Sequence, residues 1–333
     1  MSPPPRYGRR VWRRFKRNPL AVAGLWVAVA LGLMALGADF LANDKPYYLV
    51  YRGKTFFPIV QGYLHALGLA AWPAELRQVD FTRLRPERAL YPPVPYRPQQ
   101  VDLTAPFVPP SPEHWLGTDR LGRDVLAGII HGARVSLSIG FVSMGLATLI
   151  GLTLGALAGY FGGWVDLLIS RLFELMLAIP TFFLIITVAA LVRPSILYTM
   201  AIIGLTGWVG IARFTRNEFL KVRALDYVTA AVALGLPTRR IVVRHILPNA
   251  LAPVLVAVVL GIAAAILTES GLSFLGIGVP ADLVTWGSML NEARSNSFAW
   301  WLAVFPGAAI FLAVVAYYLV GEGLRDALDP RLQ

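Results

Sequence analysis

The sequence predicts an all-α membrane protein with six membrane-crossing helices. Three observations lead there. Apolar residues make up 56% of the 333 and charged residues only 15%, against about 25% charged in an ordinary soluble domain. The apolar residues gather into long runs nearly free of charge, and the mean hydropathy is +0.61. The Lys and Arg gather beside those runs. A formal charge of +11 alone would fit a nucleic-acid or membrane-surface partner. Clustering beside apolar runs reads instead as membrane topology, so the bilayer is the expected partner and nucleic acid is not. There is no cysteine, which excludes disulfides and thiolate metal sites.

Residues 1–18 carry Arg6, Arg9, Arg10, Arg13, Arg14, Lys16 and Arg17 and no acid; Leu20–Ala38 then carries no charge at all. Nineteen residues at 1.5 Å rise nearly match a hydrocarbon core of ~30 Å. A cleaved signal peptide is the alternative, with small residues near Ala35–Ala38. The run is longer than the apolar region of ~7–15 residues in such peptides, so it reads as an uncleaved first span with its N-terminus inside.

Residues 43–118 are polar and rich in Pro, Tyr and Arg, and they are placed outside. Long loops cross membranes largely regardless of charge. Pro92, Pro93, Pro95, Pro98, Pro106, Pro109, Pro110 and Pro112 make the latter part an extended, semi-rigid strap. Tyr47–Val50 and Thr55–Val60, around Arg52-Gly53, predict a small hairpin. His65 and His114 lack companions at ligand spacing, so no metal site is expected. Loops this long are often functional; this one either caps the outer mouth or touches a docked partner, or else is an insertion packed on the surface.

Asp119–Arg134 reads as an amphipathic approach helix and Val135–Gly159 as the second span. Gly151, Gly155 and Gly159 recur every four residues and share one helix face. Small residues there form a packing seam, inside the subunit or against a partner. Gly162-Gly163 is a short turn. The third span, Leu167–Val192, starts beside Asp166, Arg171 and Glu174; Arg171 and Glu174 are spaced to pair, and Pro180 predicts a kink. The fourth span is Ile196–Ile211, followed by Arg213, Arg216, Lys221 and Arg223 in a cytoplasmic loop. The fifth is Ala250–Thr268, with Glu269 near its outer end. Gly271–Ser297 turns back toward the bilayer. Phe298–Val320 is the sixth, with Trp300, Trp301, Tyr317 and Tyr318 as interfacial anchors. Six crossings leave both termini inside.

Between the fourth and fifth spans lies Asp226–Asn249. A helix-forming block, Ala230–Leu234, stops at Gly235 and Pro237, ordinary helix-stop residues. A second block, Arg239–Leu247, follows, and Pro248 opens the next apolar run. This segment resembles the signature loop of ABC-importer permeases: Glu-Ala-Ala, three residues, Gly, nine residues, Ile, one residue, Leu-Pro. Ala230, Ala231, Gly235, Leu247 and Pro248 match, while Thr229 stands in place of Glu and His245 in place of Ile. Gly117-Thr118-Asp119, Gly122-Arg123-Asp124, residues 132–137, residues 159–163, residues 273–276 and residues 324–331 resemble the C-type permease subunit of dipeptide, oligopeptide and nickel importers. The likeness runs from about His114 to the C-terminus. The Asn43-Asp44-Lys45-Pro46 start, with the long loop behind it, is similar to a subgroup linked to larger peptides and microcin C.

The resemblance implies a type I ABC-importer permease core with an extra N-terminal helix and a long extracytoplasmic loop, in a bacterial inner membrane. Residues 1–42 would be the basic N-terminus and first helix, 43–131 the outer loop and approach helix, 132–325 the core with its coupling loop at 213–249, and 326–333 the cytoplasmic tail. The implied partners are a homologous B-type permease, two ABC ATPase subunits holding ATP and Mg, and an extracytoplasmic substrate-binding protein. The implied substrates are dipeptides and oligopeptides, with nickel or another small solute as the alternative. The helix around Tyr227–Leu234 would enter a cleft on an ATPase subunit. Ala230, Ala231 and Ala233 would keep it thin, and Gly235 would let the chain turn. Asp226, one turn before Thr229, is placed to supply the missing negative charge.

No P-loop pattern, His-Glu-x-x-His motif or nucleophile elbow occurs, so the chain itself is expected to bind no cofactor and to catalyse nothing. A membrane enzyme using the outer loop is the main rival class and lacks any candidate constellation; a secondary transporter, the other rival, would often show inverted repeats and broken midplane helices with charged residues, and needs no such loop.

Overall fold

The computed structural model describes residues 7–328 except 78, 80, 82, 83, 85 and 281. Arg6 of the basic N-terminus, Asp329-Pro330-Arg331 of the C-terminal motif and the tail to Gln333 lie outside the described residues. The described residues fall into two compact units, one within 1–29, 138–280 and 310–333 and the other within 30–137 and 281–309.

Among the described residues, five helices are long and apolar enough to cross a bilayer: α2 (Pro19–Leu36), α5 (Val125–Phe161), α8 (Ile196–Arg223), the continuous stretch Thr238–Phe274, and α13 (Trp301–Leu328). A sixth is made by α6 (Gly163–Ala178) and α7 (Thr181–Leu191) if the pair is one span. The kink expected at Pro180 is a break of 78° between them. Pro180 has no N–H to donate and forces the residue before it out of the helical region; Ile179 is extended.

In the first unit, α5 meets α8 at backbone distance. A Cβ on Gly151 would lie 2.8 Å from the Trp208 carbonyl oxygen, and one on Gly159 2.6 Å from Phe219 Cβ. On Gly155 it would run into the Ala212 carbonyl and Thr215. The glycine face is thus turned to α8 inside the chain. Gly204 of α8 reciprocates, 2.9 Å from the Ser143 carbonyl oxygen by the same measure, and buried Ser143 donates to the Met200 carbonyl at 3.0 Å. Arg216 of α8 pairs with Asp166 of α6 through both carboxylate oxygens, and Phe173 packs on Trp208 at 5.8 Å. The Arg171–Glu174 pair forms on the exposed side of α6. Before α2, α1 (Tyr7–Phe15) buries Phe15 against Ala21 and Ala327.

The second unit includes the end of α2, α3 (Ala38–Leu41) and a three-stranded sheet in the order β2-β1-β3. β1 (Tyr48–Tyr51) and β2 (Lys54–Phe56) form the expected hairpin. Arg52 and Gly53 both take positive φ, 52° and 69°, the geometry that matches strand twist in a two-residue turn. Pro58 ends the second strand early by starting α4 (Pro58–Ala66), with its fixed φ preset for a first helical turn. The third strand, β3 (Arg88–Leu90), pairs with the free edge of β1. Leu49, Phe56, Leu76 and Phe81 fill the small core beneath.

A separate approach helix over Asp119–Arg134 is not found. Gly117 and Gly122 take φ of 81° and 70°, which breaks any helix there. Asp119 instead closes a loop by accepting from the backbone of Leu121 and Arg123 at 2.8 and 2.9 Å. Asp124 then caps α5 by accepting from Ala127 N at 2.8 Å, and the helix runs unbroken past Arg134. The segment after Phe274 contains α12 (Trp286–Ser295), which opens on a reciprocal Thr285–Ser288 capping box. Its Trp286 is fully buried and donates to the Ile129 carbonyl at 3.0 Å. Two of the four expected interfacial aromatics are also interior: Trp301 is buried and donates to the Thr118 carbonyl, and Tyr317 is buried, while Trp300 and Tyr318 are exposed.

The seam yields a test. A methyl group on Gly155 has no room, and overpacking costs ~1–3 kcal/mol. Gly155→Ala should lower the thermal midpoint of the purified protein. Gly145→Ala, where nothing lies within 4 Å, should leave it unchanged. Equal midpoints for the two variants would mean α5 and α8 are not held at backbone distance.

Candidate functional site

The site is the polar stretch after α8. The chain reverses at Ala224-Leu225, where Leu225 N donates to the Val222 carbonyl at 3.1 Å, and α9 (Asp226–Ala233) begins. Asp226 sits at its N-terminus, where the helix dipole favours a negative charge. Thr229 Oγ1 donates to the Asp226 carbonyl at 2.9 Å.

The two faces of α9 differ. Val228 and Ala231, three apart, point inward and are 1% and 5% exposed. They join Phe219, Val222, Ile241, Ile246 and Ala250 in one apolar cluster, with Leu236 and Leu247 at its edge. Tyr227, Thr229, Ala230, Val232 and Ala233 face out, and Leu234 is 81% exposed. Ala231 therefore does not thin the outward surface, as the motif suggested. It fits the helix onto its own subunit.

Gly235 ends α9 in a two-bond cap: its N–H donates to the Val232 carbonyl at 2.9 Å and Leu236 N–H to the Ala231 carbonyl at 3.2 Å. That closure needs a left-handed residue, and Gly235 has φ 72°. A Cβ there would meet nothing within 4 Å, so the requirement is conformational rather than spatial. Leu236 folds back onto the cluster, completing the hydrophobic contact of this cap.

The second block does not end before Pro248. α10 (Thr238–Ile241) passes through a π-turn, Val242–Ile246, directly into α11 (Leu247–Phe274). A proline inside a helix removes one bond and crowds the preceding turn. The wider π-turn absorbs that, with Leu247 N–H reaching back to the Val242 carbonyl. The His245 carbonyl accepts from Asn249 Nδ2 at 2.8 Å and from the Tyr227 hydroxyl at 3.3 Å. Asn249 Nδ2 also donates to the Tyr227 hydroxyl at 3.0 Å. A polar clasp thus ties α9 to the base of α11.

The glycine seam runs into the same cluster. Phe219, which faces Gly159, is one of its members, and Ala156 and Tyr160 of α5 pack at its edge. Motif matching found Ala230, Ala231, Gly235, Leu247 and Pro248, and the sequence also singled out Asp226, Tyr227, Thr229 and His245, but not Val228, Ile241, Ile246 or Asn249. The three-residue spacing of Val228 and Ala231 was the available signal for an inward stripe. The outward arrangement carries Asp226, Tyr227 and Thr229 beside its alanines, Val232 and Leu234. It is an eight-residue helix held firmly from behind, with small and apolar side chains in front and Arg239, Arg240 and Arg244 exposed or partly exposed beyond its end. An apolar patch with a polar margin is suited to docking a protein.

Residues 151–333 match the family described as the binding-protein-dependent transport system inner membrane component, and residues 6–58 match the N-terminal TM domain of oligopeptide transport permease C. The dipeptide transport system permease protein DppC of Alkalihalophilus pseudofirmus is 43% identical over 225 residues, covering 67% of this chain and 74% of its own. The inner membrane ABC transporter permease protein YejE of Escherichia coli is 36% identical over 329 residues, 96% of both chains. DppC of Bacillus subtilis is 33% identical over 98% of this chain and 87% of its own. With a family match over more than half its length and relatives aligned along nearly all of it, the chain belongs to the inner membrane components of binding-protein-dependent transport systems, as a C-type permease with multiple membrane spans.

Proposed function

We propose that this chain forms one half of the membrane pathway of an ATP-driven importer of dipeptides and oligopeptides. Its relatives named as dipeptide permeases support the substrate class. In this reading a homologous B-type permease supplies the other half and a substrate-binding protein docks on the outer side. Two ABC ATPase subunits, carrying ATP and Mg, bind inside, where both termini also lie. The chain does no chemistry of its own. The ATPase dimer closes on ATP, moves α9, and rocks the helices between inward-facing and outward-facing states. The energy source must favour one state over the other, since equal binding to both shifts nothing.

The observation that carries this reading is the two-faced α9. Its outward face of Ala230, Ala233, Val232 and Leu234 enters the ATPase cleft, while Val228 and Ala231 pass the displacement to Phe219 and so to α5 and α8. With no Glu at Thr229, the acidic contact falls to Asp226. The glycine seam transmits this movement within the subunit.

The two alanines separate docking from folding. Ala230→Trp should keep the thermal midpoint of the purified permease while ATPase-subunit retention and substrate-stimulated ATP hydrolysis fall roughly tenfold or more, as expected for blocking a fitted contact. Ala231→Trp should lower the midpoint itself, because it overfills the buried cluster. Wild-type coupling in Ala230→Trp would remove α9 as the coupling element. At the turn, Gly235→Asn should retain coupling, since Asn tolerates positive φ, and Gly235→Val should lose it; equal activity would mean the cap is dispensable. For topology, Leu234→Cys should react with an impermeant maleimide only from the cytoplasmic side, and Leu103→Cys only from outside. The reverse pattern would invert the arrangement.

A further inference from the structure

The outer loop contains a stretch that its overall polarity hides. From Thr55 to Ala74 there is no Lys, Arg, Asp or Glu. Its only α-helix, α4, has nine residues and is far too short to cross a hydrocarbon core of ~30 Å. One side of α4 is bound to its own unit, with Pro58 and Ile59 buried. The other side is an uncovered apolar stripe at helical spacing: Phe57 52% exposed, Val60 45%, Leu64 37% and Leu67 70%. A helix-end cap at Gly68 (φ 71°) brings Leu69 N–H back to the Leu64 carbonyl at 2.8 Å and adds a further exposed leucine to the stripe.

The level of this stripe is set by the first span. Tyr63, at the edge of the stripe, donates its hydroxyl to Asp39 at 2.5 Å and stacks on Phe40 at 6.1 Å. Asp39 is also held by Arg134 at 2.8 Å. Asp39 and Phe40 lie just past the end of α2 at Leu36. Leu33, Leu36, Phe40 and Leu41 are themselves exposed, so an apolar surface continues from the span through Phe40 and Tyr63 onto α4. The charges nearest this stripe are engaged on its flanks: Lys54 pairs with Glu75 at 2.8 Å, and Lys45 lies over the Trp72 ring at 4.6 Å. A short helix with an uncharged aromatic and aliphatic face, fixed at the end of a span, fits the boundary between headgroups and acyl chains.

We propose that α4 is an interfacial anchor. Its Phe57, Val60, Leu64 and Leu67 stripe seats in the leaflet at which α2 ends, with the phospholipid of the surrounding bilayer as its partner. The loop is then pinned to the membrane surface beside the first span.

The chain has no cysteine, so each variant adds one thiol to it, and the wild-type complex labelled in parallel supplies the background. Leu64→Cys and Leu67→Cys would each carry a nitroxide in the full transporter, reconstituted in discs of phosphatidylethanolamine and phosphatidylglycerol. Leu103→Cys, on the exposed strap, is the water-facing reference. The ratio of collision with oxygen to collision with nickel ethylenediaminediacetate should be several-fold higher at 64 and 67 than at 103. Ratios equal to that at Leu103→Cys would overturn the proposal. So would protection of both sites that appears only after the substrate-binding protein is added, which would make the stripe a protein-docking surface.

Discussion

The contact between α5 and α8 at Gly151, Gly155 and Gly159 is the constraint on which the inner part of the molecule depends. Lipid offers no hydrophobic incentive for helices to associate, so close packing must supply the attraction. Removing three side chains lets the two backbones touch, and the register this imposes is narrow. It places Phe219 against Gly159 and Arg216 opposite Asp166. The core that carries α9 is built on Phe219. A wider helix separation would leave that core without its floor.

Around this seam the helices are interrupted where proline demands it, and each interruption is handled differently. At Pro180 the span breaks outright and turns by 78°. At Pro248 the helix survives because a π-turn accommodates the ring, and the neighbouring His245 carbonyl accepts from Asn249 and Tyr227 side chains. The second solution lies where polar side chains are at hand, in keeping with the cost of leaving a backbone group unbonded away from water.

The spans were legible because a charge-free run of span length has few other readings. The hairpin was legible from Arg52-Gly53. β3 was not, since three residues including Arg88 carry no period and their partner lies about forty positions away in the chain. Asp119–Arg134 misled because its apolar spacing continues into a real helix, while Gly117 and Gly122 quietly fix where that helix begins. At the candidate site, motif spacing found the turn and the alanines. It could not assign their direction, because that depends on Phe219 and Ile246 arriving from either side of the segment. The same limit hid the burial of Trp301 and Tyr317, whose residue types suit an interface and an interior equally well.

Ala230 and Ala231 are adjacent and identical, yet they answer to different neighbours. Ala231 is bounded by this chain's own Phe219, Ile241 and Ile246, and Ala230 by whatever covers the outward face. In a set of related permeases the two positions should therefore drift independently. Substitutions at 231 should be matched by volume changes within the same polypeptide. Under the proposed docking, substitutions at 230 should be matched by changes in a separately encoded one. The adjacent alanines would then be two unrelated letters, one recording the history of a fold and the other the history of an assembly.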